Sequence, residues 1–155
     1  MKRRLVLPVL VLTALTGCGG GSSKTATPSP TPSPTPNAAA AKAEITLAWE
    51  TFFNPKGTVA AHVALLQNGP AFATELAKSA KDPTAQDLSA KVLTVVILGP
   101  SASVTYDLLG KGGAKLLPGA MGTAVEEQGV WKVSKATYCT LITLQDPKVK
   151  HPACA

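Results

Sequence analysis

The sequence predicts an α+β fold in which N-terminal helices pack on a curved antiparallel sheet, and three observations predict it. Apolar residues between 38 and 80 recur at helical spacing. Between 87 and 133 they alternate, or run in β-branched blocks broken by glycine turns. Helices first and strands afterwards is the order of a segregated α+β domain, not of repeated β-α-β units. With 155 residues, 45% of them hydrophobic, the chain supports one such domain with appendages.

Asn37 reads as the N-cap of a first helix, AAAAKAEITLAWETFFN, in which Ile45, Ala48, Trp49, Phe52 and Phe53 share one apolar face. Asn54-Pro55 ends it. Thr58 caps a second helix over TVAAHVALLQNG, with Val59, His62, Val63 and Leu66 on one face and Gly69 as C-cap. Pro70 suits the first turn of a third helix that packs Phe72 and Leu76.

The strands begin in DLSAKVLTVVILG, which stops at the turn signal Gly99-Pro100. SASVTYDLLG follows, with Ala102, Val104, Tyr106 and Leu108 facing inward and Ser103, Thr105 and Asp107 expected to face solvent. After a turn at residues 111–113, a third strand runs from about Lys115 to Glu127. Leu117-Pro118-Gly119 interrupts it, which predicts a bulge or an edge position. A short fourth strand, VWKVS, buries Trp131 and Val133.

The N-terminal 37 residues have another character. Lys2, Arg3 and Arg4 precede the apolar run Leu5 to Leu15, and small residues close it, as in an export signal over residues 1–17. The run is too short, and carries Pro8, to span a bilayer of roughly 30 Å. Leu15-Thr16-Gly17-Cys18 resembles the lipobox of bacterial lipoproteins. That resemblance implies a diacylglycerol on the Cys18 sulfur and cleavage just before it. Two acyl chains hold a protein firmly where one holds it marginally. The alternative is an ordinary secretory signal with an incidental cysteine. Residues 18–37 then form a stalk, because the alternation of Pro with Ser and Thr in TPSPTPSPTP builds no core. As polyproline II at about 3.1 Å per residue, Thr27 to Pro36 gives roughly 30 Å of standoff. The hydroxyls are candidate sites for O-linked sugar, a bare spacer being the simpler reading. The globular domain is placed at 38–155, and the chain on the outer face of the cytoplasmic membrane.

Several short motifs in the domain carry a resemblance. These are W-x-x-F-F at 49–53, LLQNG at 65–69, LLPGAMG at 116–122, and GVWKVS at 129–134 followed by Tyr138-Cys139. Kept in this order, they resemble the mycobacterial low-molecular-weight secreted antigen family over roughly residues 42–145. The element order is similar to the cystatin-like cone of the nuclear transport factor superfamily. The resemblance implies a helix-wrapped curved sheet in a small exported actinobacterial protein, and it carries no catalytic residues to this chain. The lipobox and stalk depart from simply secreted members and argue for surface retention.

With Cys18 acylated, Cys139 and Cys154 remain, an even number for an oxidising compartment, and are expected to pair. The alternative is a buried free Cys139 with a frayed tail thiol. His151 stands nearby, but the spacing makes a poor zinc site, and no metal or cofactor is expected. Three of the 15 basic residues lie at the extreme N-terminus, so the rest of the chain carries only a weak positive balance. With no basic stripe interleaved with aromatics, nucleic-acid binding is set aside. There is no Gly-rich phosphate loop, G-x-S-x-G, S-x-x-K, H-E-x-x-H or C-x-x-C.

Two function classes stay open. One is a non-catalytic, lipid-anchored domain that binds an apolar ligand or an envelope protein partner. The other is a small cone-fold enzyme of the isomerase or dehydratase kind, with a pocket near His62 as base and Tyr106 as hydrogen-bond donor. Both residues fit equally well as packed core side chains. The inward positions are apolar, which favours binding over chemistry.

Overall fold

The computed structural model describes residues 36–148 and 150–155. The export signal, Cys18 and nearly all of the stalk lie outside the described residues. Helix α1 spans Pro36–Phe52, α2 Val59–Ala64, α3 Ala73–Ser79 and α4 Lys135–Gln145. Strands β1 (Ser89–Leu98), β2 (Ser101–Leu109), β3 (Lys115–Glu127) and β4 (Val130–Val133) form one antiparallel meander in sequence order, and the sheet stays open. None of the described helices is long and apolar enough to cross a membrane.

The predicted face of α1 is the face that packs. Ile45, Trp49 and Phe52 are buried against Val95, Val104, Tyr106, Leu108, Trp131 and Val133 from the sheet, and α1 lies across β1 and β4. Fully burying one such side chain contributes about 1.5–3 kcal/mol. Glu50, at the solvent edge of the same helix, accepts the Val92 N–H (3.3 Å) and pins α1 to β1. The helix starts at Pro36 and not after a cap at Asn37, because proline's fixed φ and missing N–H cost nothing in a first turn.

The second helix is shorter than its apolar pattern. Thr58 caps it as expected, accepting from Ala61 N–H (3.1 Å), but it ends at Ala64. Leu66 leaves the helix to form a bridge with Val133: Gln67 N–H donates to Val133 O and Val133 N–H to Leu65 O, both at 2.9 Å. Asn68, not Gly69, takes the left-handed conformation (φ 55°). Gly69 is needed for close approach, since a Cβ there would collide with the Val63 carbonyl. It opens a 3-10 turn, Gly69–Phe72, that leads into α3 and buries Phe72 and Leu76.

The break in β3 is a bulge. Tyr106 faces Ala120 and Leu108 faces Leu117, so Pro118 and Gly119 together oppose Asp107 alone. Gly119 takes φ 63° there, which only glycine accepts without strain. Pro118 also sits where β3 has β2 on one side and no β4 partner on the other.

This bulge corrects the expectation for Asp107, which is 2% exposed instead of solvated. Its Oδ1 accepts the Gly119 N–H (2.9 Å) and its Oδ2 pairs with Lys115 Nζ (2.7 Å). Lys115 and the Gly119 N–H hold the carboxyl below its ordinary 3.8, against the opposing pull of burial. A depressed folded-state pKa contributes stability that is present above pH 3.8 and lost as pH falls through the lower folded value. Asp107→Asn should therefore lie below the wild type in urea midpoint at pH 7, and the gap should be smaller at a pH below 3.8. A gap unchanged between the two pH values would contradict this pairing.

The C-terminal helix α4 has no counterpart in the sequence pattern, which predicts no helix or strand after the fourth strand. Ser134 caps it by accepting from Thr137 N–H (3.1 Å). Thr137 is buried and fastens the helix to β3, its Oγ1 accepting from Thr123 N–H (2.8 Å).

Candidate functional site

A cleft of about 280 Å³ opens where the C-terminal end of α1, α2, α3, the 85–88 segment and α4 converge. Its floor is apolar, built from Phe52, Phe53, Leu76 and Leu108, which the core face of α1, the third helix and β2 deliver from their inward positions. Helix α4 covers it with Tyr138, Leu141 and Ile142. At the rim stand amide, hydroxyl and carboxylate groups from Asn54, Ser79, Gln86 and Gln145 on separate elements, with Asp146 and Glu75.

Three aromatic side chains, Phe52, Phe53 and Tyr138, line the cleft. Phe52 meets Phe53 edge-on (5.1 Å, 90°) and Tyr138 edge-on (5.8 Å, 86°), and Tyr138 meets Phe72 in the same way (5.1 Å). Edge-to-face packing of this kind fixes ring orientation. It gives the cleft a shape that does not collapse readily when empty.

The two candidate residues part company here. His62 lines the cleft, with its ring 6.0 Å from Phe52 and Nε2 at 3.1 Å from the Asn54 carbonyl oxygen. A carbonyl only accepts, so Nε2 carries the proton and donates, and the ring is positioned as a strut between α2 and the end of α1. Tyr106 does not line the cleft. It is 1% exposed, stacked on Phe53 (5.7 Å) and set edge-on to Trp49 (5.3 Å), behind the wall. The cleft thus takes in His62 without Tyr106, and Tyr138 is the phenol it contains.

Burial raises the pKa of both phenols. Tyr138 is pushed up to about 12, by desolvation first and then by the Glu75 carboxylate, while the Ser79 hydroxyl opposes the shift. Tyr106 is raised from 10.0 by desolvation. These are the only two tyrosines in the chain. A raised phenol pKa contributes stability that is present below pH 10.0 and lost as pH rises towards about 12. Near-ultraviolet phenolate absorbance of the folded protein should stay low at pH 10 and appear for both residues when denaturant is added. Half-ionised tyrosine in the folded state at pH 10 would mean the cleft is open to water.

Cys139 and Cys154 form a disulfide, with Cα atoms 5.7 Å apart. It joins α4 to the 3-10 turn Pro152–Cys154 and brings His151 to stack on Phe72 (4.7 Å, 26°). The tail is therefore laid against the back of the cleft. His151 Nδ1 accepts the Ala153 N–H (3.2 Å). Among the described residues no cluster of three or more His, Cys, Asp or Glu side chains is placed to hold a metal ion.

Residues 37–148 match the C-terminal domain of the low molecular weight antigen MTB12. The chain belongs to this family. The match spans α1 to the end of α4, so every element that lines the cleft is within it. No curated protein matches the chain. Membership in this antigen family fits a secreted or envelope protein and an extracytoplasmic location, where a Cys139–Cys154 bond persists.

The sequence missed the residues that matter most to the cleft, those of α4. KATYCTLITLQ carries three threonines and an isoleucine, types that read as strand. The signal that could have found the helix was Ser134 as cap, followed by Tyr138, Leu141, Ile142 and Gln145 at i, i+3, i+4 and i+7.

Proposed function

We propose that the protein is an exported lipoprotein, held on the outer face of the cytoplasmic membrane through diacylglycerol on Cys18, whose domain binds a small apolar molecule without transforming it. The observation that carries the binding reading is the cleft of about 280 Å³, with Phe52, Phe53, Leu76, Leu108, Leu141 and Ile142 in its lining and a few hydrogen-bonding side chains among them. Ligand sites combine such apolar walls with a few polar groups that fix orientation. His62 has its Nε2 proton committed to Asn54 O and pairs with no carboxylate among the described residues, which favours a structural histidine over a general base. The lipobox residues Leu15 to Cys18, the preceding basic and apolar runs, and the Pro-rich stalk support the anchored reading.

The test is mass spectrometry of what co-purifies with the chain from membranes in mild detergent. A single apolar species should accompany the wild type and be absent from Leu141→Trp, which fills the cleft from its α4 side. Retention of the same species by both proteins, or none with either, would refute the binding reading and shift attention to protein partners in the envelope.

A further inference from the structure

The sheet has three stretches of unpaired edge, and two of them are interrupted. The outer edge of β4 is taken at Val133 by Leu65–Gln67, whose backbone exchanges two hydrogen bonds with that residue. The part of β3 that β4 does not reach carries Pro118 and the bulge, both devices that stop a further strand from adding. The edge of β1 is different. Among the described residues, only Glu50 reaches its backbone from outside the sheet, at Val92, and nothing does so from Thr94 to Leu98. That segment, TVVIL, contains no charge, proline or glycine. Its outward side chains are open, with Val96 50% and Leu98 62% exposed. A long apolar edge left in this state is a template for strand addition.

We propose that this edge pairs with β1 of a second copy of the chain, antiparallel about a twofold axis at Val96, so that two four-stranded sheets become one of eight strands. The register follows from the sequence. A twofold at Val96 sets Thr94 against Leu98 and Val96 against itself on the outer face, and Val95 against Ile97 on the inner face. Each pair joins β-branched or aliphatic side chains, the combinations that stabilise cross-strand contacts. Charge fits the same register. Lys91, the one ionic residue of β1, falls opposite Ser101 beyond the end of the partner's strand, so the two lysines stand at opposite ends of the ladder. The segment is therefore complementary to itself, as an isologous interface requires, and it offers no charge that would select a different strand.

The test uses the full chain in the membranes where it is expressed. Val96→Cys, which puts a thiol on the twofold, should give a disulfide-linked dimer on mild oxidation. Thr105→Cys, on the outer face of β2 and away from the edge, should not. Val96→Lys places two ammonium groups opposite each other and should reduce the amine-crosslinked dimer by roughly tenfold or more, with the thermal melt unchanged. Equal linking by the two cysteine variants, an undiminished dimer with Val96→Lys, or a link from Val96→Cys to some other protein would each overturn the proposal.

Discussion

Trp49→Ala should lower the stability of the domain by about 3–5 kcal/mol, the cost of deleting a large buried aromatic and leaving its cavity. Trp49 is fully buried and touches three elements at once. Its ring lies 5.3 Å from Tyr106 on β2 and 6.2 Å from Phe53 just past the end of its own helix, and it fills the space in front of Gly122 on β3. With the indole gone, α1 loses its central peg on the sheet, and the Phe53 wall of the cleft loses the support behind it. Among the described residues its buried Nε1 has no hydrogen-bond partner, a cost the fold carries for the sake of packing. Trp49→Phe should therefore be distinctly milder than Trp49→Ala, because it keeps part of the ring volume and removes the orphaned N–H. Urea denaturation of the three proteins checks the order. Equal losses for the two variants would mean that ring packing is not what holds α1.

Removing the disulfide as Cys139→Ser with Cys154→Ser should cost about 3 kcal/mol, the closure entropy of a loop of some 15 residues on the unfolded-chain account. In a domain of this size that is a fall of about 10 °C in melting temperature. The loss should be uneven in space. Helix α4 keeps its Ser134 cap and the Thr137 bond to β3, so it stays in place. The segment after Asp146 is tied mainly through Cys154 and the stack of His151 on Phe72, so it detaches. Amide exchange of the double variant should show protection lost from residues 150–155 while α4 retains it. Loss of protection throughout α4 would show that the bond holds the helix and not just the tail.

Much of this fold is legible in the sequence where one rule acts alone. The i, i+3, i+4 spacing of Ile45, Ala48, Trp49 and Phe52 places α1 and its buried face, and the alternation Ala102, Val104, Tyr106, Leu108 places β2. It fails where tertiary contacts overrule the local pattern. Leu66 fits the apolar stripe of α2 but is pulled out by Val133, and the helix stops early. Asp107 obeys the alternation of β2, yet a bulge on the neighbouring strand folds Gly119 and Lys115 over it. The β-branched composition of α4 hides a helix whose stability comes from a cap and from packing, not from intrinsic propensity.

The candidate site was half legible for the same reason. His62 is placed by its helix, but the cleft exists only because α4 returns over the end of α1 with Tyr138, which no local pattern announces. Tyr106 reads as inward, and it is, but inward from β2 leads into the aromatic core behind Phe53 and not into the cleft.

Attachment to the membrane is the claim on which the proposed role most depends, and the mass of the N-terminal peptide of the membrane-extracted chain tests it most directly. The expected peptide begins at Cys18 and carries diacylglycerol on its sulfur, and Cys18→Ala should release the protein from the membrane fraction. A chain that begins at another residue, with an unmodified Cys18 thiol and recovery in the aqueous phase, would contradict the lipoprotein reading.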